Sequence, residues 1–377
     1  MTKLTHLAID AVGTKYGGGA TVLLAFVEAA LELEALSALT LWASPRADRQ
    51  FQLPTDSRLL VVSAPRLESS PLLRLGWHQG GMAAETRRVG ADVLVCMNGG
   101  GYGPAGVPNL TFIQQSLPFC AEALDTLSSA DRLRMAAVRA VMKTSTAHAS
   151  KIAVQTATMK AWVAEAFGLP LEKFEVFEPS AQLAPQSATS VSLAQMRRTP
   201  AGKRVLYVGS TSLYKNLERA FEGFSQCARI DPEARLFATI PADHPLVCAR
   251  PEVVGLGYLD APELREAYSL CSFLLMPSLV ETVGLPMLEA ANLGKPTLAA
   301  DRPYAHDVCG PAARYFDPLD ARSIAAGLSA LLREPSELAR MGALALARSR
   351  ALSAARPYER MAQAVVDLAL DRRTPLS

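Results

Sequence analysis

The sequence predicts an α/β chain built as two doubly wound domains, each a parallel sheet covered by helices, and three observations carry that prediction. Strand and helix patterns alternate from the first residues. The alternation restarts in the second half. Between the two halves, Ser180 to Gly202 is rich in Ser, Ala, Pro and Gln and lacks sustained periodicity, as an interdomain linker would. A chain of 377 residues with 50% apolar and 20% charged content is too long for one core and too apolar for disorder. The expected domains are residues 1–185 and 186–356, with a C-terminal helix over 357–377 packing back on the first.

The elements follow in order. Leu4 to Ile9 reads as a strand, Gly17-Gly18-Gly19 breaks it, and Ala20 to Ala35 has helical apolar spacing. Further strands are expected at Ala38–Trp42, Leu59–Ser63, Val93–Met97, Leu110–Gln114 and Lys151–Gln155, with helices over Pro71–Val89 and Asp131–Ala149. The second cycle runs strand Arg204–Val208, helix Leu217–Ile230, strand Arg235–Ile240, helix Glu263–Leu270, strand Phe273–Met276, helix Leu285–Leu293 and strand Thr297–Ala300. Two such domains in tandem predict a ligand cleft at the carboxyl ends of their strands.

Composition excludes several classes of function. A formal net charge of +2 gives no electrostatic reason for nucleic-acid binding. Six scattered cysteines without a Cys-x-x-Cys pair, and an opening that carries Lys3, His6 and Asp10, predict the reducing cytosol. No apolar run reaches the roughly 20 residues that cross a bilayer. The five histidines (His6, His78, His148, His244, His306) show no ligand spacing, and neither Asp-x-Asp nor Gly-x-Ser-x-Gly occurs, so no metal and no cofactor are expected. Gly101 to Gly106 satisfies Gly-x-Gly-x-x-Gly but leads through Val107-Pro108-Asn109 into another strand. A dinucleotide fingerprint must open a helix there.

The segment from Pro277 to Asp301 carries the chemistry. A strand runs into a Gly-Leu-Pro turn and then a helix, with Glu281 on the loop and Glu289 just past the first helical turn. Helix-start amides and the helix dipole favour an anion, with phosphate the natural candidate. Carboxylates on either flank suit hydroxyls attached to that phosphate, as in a nucleotide sugar. The plainer alternative is a stabilised helix start beside a solvated Glu281.

Glu281-Thr-Val-Gly-Leu-Pro-Met-Leu-Glu289 resembles the Glu-x7-Glu motif of GT-B-fold retaining glycosyltransferases of family 4, also called glycosyltransferase group 1. The resemblance extends through Gly294-Lys295-Pro296 to Tyr315-Phe316-Asp317-Pro318, and upstream to Tyr207-Val208-Gly209 with Lys215-Asn216. In the first domain it is thinner: the glycine loop, Phe112 to Phe119, and Gln155-Thr156 before a helix containing Lys160. It implies two Rossmann-like domains facing a central cleft, a nucleoside diphosphate sugar as donor and a glycan or lipid-linked glycan as acceptor. Lys215 and Glu281 would be catalytic. Glu289, Val283, Gly284, Leu285, Ser210 and Asn216 would bind the donor, while Gly17, Gly18, Gly19 and Gln114 would form the acceptor and diphosphate loop.

The chain departs from the family at three points. Ser210-Thr211 stand where many members have an arginine, Thr282-Val283 replace an aromatic residue, and Gln114-Gln115 replace a histidine. The donor hexose is therefore open, with a deoxy or manno sugar one option. Arg132, Arg139 and Lys143 share a face of the 131–149 helix, which can either seat the domain on an anionic membrane surface or simply be solvated. Metal-independent hexosyl transfer in surface polysaccharide or glycolipid assembly, by a cytoplasmic protein that the basic face could bring to the inner face of the membrane, is the reading favoured. A nucleotide-sugar epimerase of similar fold and a non-catalytic nucleotide-sugar-binding protein are the alternatives.

Overall fold

The computed structural model describes residues 5–14, 17–44, 53–181, 183, 185 and 190–371. Leu4 of the expected first strand, part of the expected linker and residues 372–377 of the expected last helix lie outside them.

The chain divides into two compact units. The first comprises residues 1–119, 129–179 and 356–377, and the second 120–128 and 180–355. Strands of the first unit are β1 Thr5–Ala11, β2 Leu36–Ala43, β3 Leu59–Ser63, β4 Val93–Cys96, β5 Asn109–Phe112, β6 Lys151–Val154 and β7 Phe174–Val176. They form one sheet in the order β3-β2-β1-β4-β5-β6-β7, with every pair parallel. The second unit holds β8 Arg204–Tyr207, β9 Arg235–Ala238, β10 Val253–Gly255, β11 Phe273–Met276, β12 Thr297–Ala300 and β13 Ala313–Phe316, ordered β10-β9-β8-β11-β12-β13. All of these pairs are parallel too.

Both sheets thus step outward from their first strand in one direction and then reverse, the doubly wound order whose reversal point receives ligands at the strands' carboxyl ends. In the first unit that point lies between β1 and β4; in the second it lies between β8 and β11. Helices cover both faces of such sheets, so central strands must be apolar throughout. Val93–Cys96 and Phe273–Met276 are accordingly buried at every position.

The C-terminal helix Pro357–Asp371 belongs to the first unit, where Met361, Ala362 and Val365 join the cluster around Phe26, Leu41 and Val95. In the stretch read as a linker, Val191–Leu193 and Ala194–Arg198 are helical, and Leu193 and Met196 are buried in the second unit's core. The expected 71–89 helix is three joined pieces, Pro71–Gly76, a wide turn at Trp77–Gly81, and Met82–Val89. The first helix is Gly18–Leu31, shorter at its end than expected, because β2 takes the chain from Leu36. Strands β7, β10 and β13, which the sequence pattern did not reveal, are edge strands of three or four residues. Among the described residues no helix is long and apolar enough to cross a membrane.

Candidate donor site

The candidate site lies where the second sheet reverses. After β8 the chain passes Gly209 to Ser212, makes a tight helical turn at Leu213–Lys215, and enters helix Leu217–Ile230. Asn216 joins the two with φ 57°, a left-handed conformation that Asn tolerates better than most residues. Its side-chain amide donates to the carbonyls of Pro277 at 3.3 Å and Pro318 at 2.8 Å, and its Oδ1 accepts from Arg219 at 2.9 Å. Asn216, expected to bind the donor, has its side-chain amide tying the lysine turn to the ends of β11 and β13.

After β11 the loop carries Glu281. The Lys215 ammonium donates to Glu281 Oε1 at 2.5 Å, and both side chains are about 15% exposed, at 15% and 14%. Burial alone would lower the lysine pKa, but the charge of Glu281 and its hydrogen bond outweigh burial and raise it, so the amine stays charged. Tyr214 supports it from beside, with Nζ 5.4 Å from the ring centroid. A further tie holds the two loops together: the Leu279 amide donates to the Tyr214 carbonyl at 2.8 Å.

Gly284 precedes helix Leu285–Asn292 with φ 75°, and a Cβ there would lie 2.8 Å from Met287 Cε and 2.9 Å from Met276 Cε. The positive φ favours glycine, while the two methionine methyl groups, at the ends of flexible side chains, would have to shift for a Cβ. Among the described residues no side chain caps this helix, Pro286 has no amide hydrogen, and the Met287 amide bonds the Gly284 carbonyl at 2.9 Å. The helix itself offers the Leu285 amide no acceptor, which leaves a donor available to an anion.

Glu289 lies one turn further along and is partly buried. The Tyr268 hydroxyl donates to its Oε2 at 2.6 Å. Burial raises the Glu289 pKa, and the Tyr268 hydrogen bond offsets part of that rise. Tyr268 is held by helix Ala261–Leu270, whose start is fixed by a capping box: Asp260 accepts from the Glu263 amide at 2.9 Å and Glu263 accepts from the Asp260 amide at 3.1 Å. Tyr268 and Tyr214 escaped the sequence reading, since an aromatic residue on a helix or in a turn looks like ordinary packing.

Ser210 is exposed, its hydroxyl 3.1 Å from that of Ser212, while its carbonyl accepts from Tyr207 at 2.7 Å. Val283 is 3% exposed and packs in the core. In the first unit Gly17 precedes helix Gly18–Leu31 with φ 70°. A Cβ on Gly19 would stand 3.9 Å from Gln114 Oε1, so the glycine loop and Gln114 are neighbours. Gln114 donates to the Met97 carbonyl at 2.8 Å. Gly101 to Gly106 leads into β5, as the sequence reading required for rejecting a dinucleotide fingerprint. His306 lies on helix Pro303–Cys309, paired with Asp301 at 2.7 Å and stacked on Tyr315.

Comparison with known proteins bears on the same region. The family model for "Glycosyl transferases group 1" matches residues 202–334, which contain β8 through β13 together with Lys215, Glu281 and Glu289. Residues 202–334 are similar to that family's glycosyltransferase domain. A serotype-specific mannosyltransferase WbdA of Escherichia coli is 32% identical to this chain over 101 residues, 27% of this chain and 12% of that protein. The chain therefore spans about an eighth of the curated relative's length (12%).

Over the full chain the likeness is one of fold. Sucrose-phosphate synthase from Thermosynechococcus elongatus aligns with a TM-score of 0.74 at 17% identity, covering 97% of this chain and 99% of that one. WaaG, a glycosyltransferase involved in lipopolysaccharide biosynthesis, aligns with a TM-score of 0.71 at 16% identity, covering 95% and 99%. Anabaena HepE, solved with UDP and glucose, aligns at 0.69 and 14%, covering 96% and 100%. The fold is GT-B, and the match to the group 1 model falls in its second half.

Proposed function

We propose that this chain transfers a hexose from a nucleoside diphosphate sugar to a hydroxyl acceptor, retaining the anomeric configuration and using no metal. The observation that carries the reading is the Lys215–Glu281 pair, set at the reversal point of the second sheet beside an uncapped helix start. An ammonium kept charged by its partner, together with the backbone at Val283, Gly284 and Leu285, suits a diphosphate whose charge grows as the glycosidic bond breaks. Glu289 serves as acceptor for ribose hydroxyls and Glu281 for a hydroxyl of the transferred sugar. Ser210 stands beside the diphosphate as a neutral donor.

The bond from the anomeric carbon to the leaving phosphate oxygen breaks while one to the acceptor oxygen forms on the same face, and the acceptor proton passes to that phosphate. The protein's contribution is then position and charge. In the first unit, Gly17, Gly18, Gly19 and Gln114 are proposed to serve the acceptor, a glycan or lipid-linked glycan. WbdA and WaaG, by their names a mannosyltransferase and an enzyme of lipopolysaccharide biosynthesis, favour a surface polysaccharide or glycolipid and a manno-configured donor. The exposed Arg132, Arg139 and Lys143 with Leu133, itself 75% exposed, support work at an anionic membrane surface on its cytoplasmic side.

The test is transfer itself. Purified protein is given UDP-, GDP-, ADP- and dTDP-linked hexoses with an undecaprenyl-linked oligosaccharide mixture. The reading expects one donor to yield an elongated product, with the new linkage in the donor's anomeric configuration, and Glu281→Ala to abolish it. Interconversion of the sugar without acceptor, or an inverted linkage, would refute it.

A further inference from the structure

Residues 120–128 lie in sequence between two stretches of the first unit yet belong to the second. The helix within this strap, Ala121–Asp125, packs against the Leu213–Lys215 turn. An ion pair helps to fasten the strap. Arg302 Nη2 lies 2.6 Å from Glu122 Oε1 and 2.7 Å from Oε2, and its Nη1 donates to the Asp301 carbonyl at 2.8 Å.

Two features separate this pair from an ordinary surface ion pair. Arg302 is 21% exposed and its Nε is buried with no partner among the described residues, a desolvation cost that a fully solvated surface pair does not carry. Arg302 also connects to the candidate site by its own chain. Two residues on, Tyr304 is fully buried and donates to the Ser278 carbonyl at 2.8 Å, at the start of the loop carrying Glu281. Besides burial, the charges of Glu281 and Arg302 both act on the Tyr304 phenol. The Lys215 turn is thus gripped by the Glu281 loop on one hand and by the strap on the other.

We infer that the Glu122–Arg302 pair is a latch that positions Lys215: it clamps the strap onto the lysine turn and so fixes the ammonium where the donor's diphosphate is held. The inference deepens the proposed function and rests on it for its consequence in binding. It assigns Glu122 and Arg302 as positioning residues acting through Lys215. It also suits a site that carries Ser210 where a second cation is common, because a lone lysine must be well placed to do the work of two.

Two readouts test the latch, and one needs no ligand. Hydrogen exchange of the intact chain should show the amides of Lys215 and Asn216, bonded to Ser212 and Leu213 carbonyls at 2.8 and 2.9 Å, exchanging faster in Glu122→Gln than in the parent protein. Core amides of β8 and β11 should be unchanged. Equal exchange in the turn overturns the latch even if transfer activity is found. The second readout is a double-mutant cycle on the Kd for UDP, GDP, ADP and dTDP. Glu122→Gln should weaken the nucleotide that binds by about fivefold, while adding nothing in a Lys215→Ala background. The same loss in both backgrounds would make the pair independent of Lys215 and refute the inference. Arg302→Gln should reproduce the Glu122→Gln pattern. Binding of none of the four nucleotides, with faster exchange in the turn, would sink the donor reading and keep the clamp.

Discussion

The Lys215 ammonium and Glu281 Oε1, 66 residues apart in sequence, meet at 2.5 Å. Each loop leaves the carboxyl end of a neighbouring parallel strand, β8 or β11, so the doubly wound order itself brings the two charges together. Lys215→Ala should lower kcat by about 10²- to 10³-fold, the usual effect of losing a charge aimed at a developing anion. It should also destabilise the second unit by about 1–3 kcal/mol, because Glu281 is left poorly solvated without its partner. Steady-state kinetics and chemical denaturation measure the two effects, and Lys215→Arg should restore stability better than rate.

Glu289 predicts a pH dependence of nucleotide binding. A ribose hydroxyl needs a carboxylate as acceptor, and burial holds this carboxyl's pKa above the ordinary value, so affinity should fall as pH drops through that raised pKa. Tyr268→Phe removes the hydrogen bond that opposes the rise. The acid limb of binding should then move to higher pH, measured by titrating nucleotide at a series of pH values. A limb that moves to lower pH would show that Tyr268 stabilises the protonated acid instead.

Gly284 predicts a backbone effect separate from charge. Alanine there must adopt φ near 75° and press its Cβ within 2.8 Å of Met287 Cε. Gly284→Ala should cost about 1–3 kcal/mol in stability and shift the helix start that offers its amide to the anion. Denaturation and nucleotide affinity should both register it.

Asp10, at the end of β1, predicts a pH dependence of stability in the first unit. It is buried, accepts from Trp77 Nε1 at 3.1 Å and the Val12 amide at 3.3 Å, and burial lifts its pKa to about 7. The folded form thus binds a proton more tightly than the unfolded chain, whose aspartate keeps the ordinary carboxyl value of 3.8. Its stability contribution is complete below that lower value and is lost as pH rises through about 7. Asp10→Asn should flatten this loss and make the protein more stable than its parent at pH values above about 7, as read by thermal unfolding across pH.

Much of this was legible in the sequence, and the limits have physical causes. Strands such as Phe273–Met276 showed themselves because a strand buried on both faces must be apolar throughout. Edge strands β7, β10 and β13 have three or four residues and at least partial exposure, too little for any pattern to emerge. Glu281 and Glu289 could be named because they punctuate one strand-loop-helix segment, whereas Lys215 was named through the resemblance to group 1 glycosyltransferases. Asn216's role as a tie depends on Pro318, 102 residues away, and the Tyr268 contact with Glu289 on a residue 21 positions off. Glu122 and Arg302, 180 residues apart, leave no local signal at all.

The account stands on a diphosphate held by Lys215 with a ribose on Glu289. Calorimetric titration of the parent protein, Lys215→Ala and Glu289→Gln with UDP, GDP, ADP and dTDP tests it most directly. One nucleotide should bind, and each substitution should weaken it by about 10- to 100-fold, the worth of a hydrogen bond to a charged group. An affinity that survives both substitutions unchanged would contradict the account.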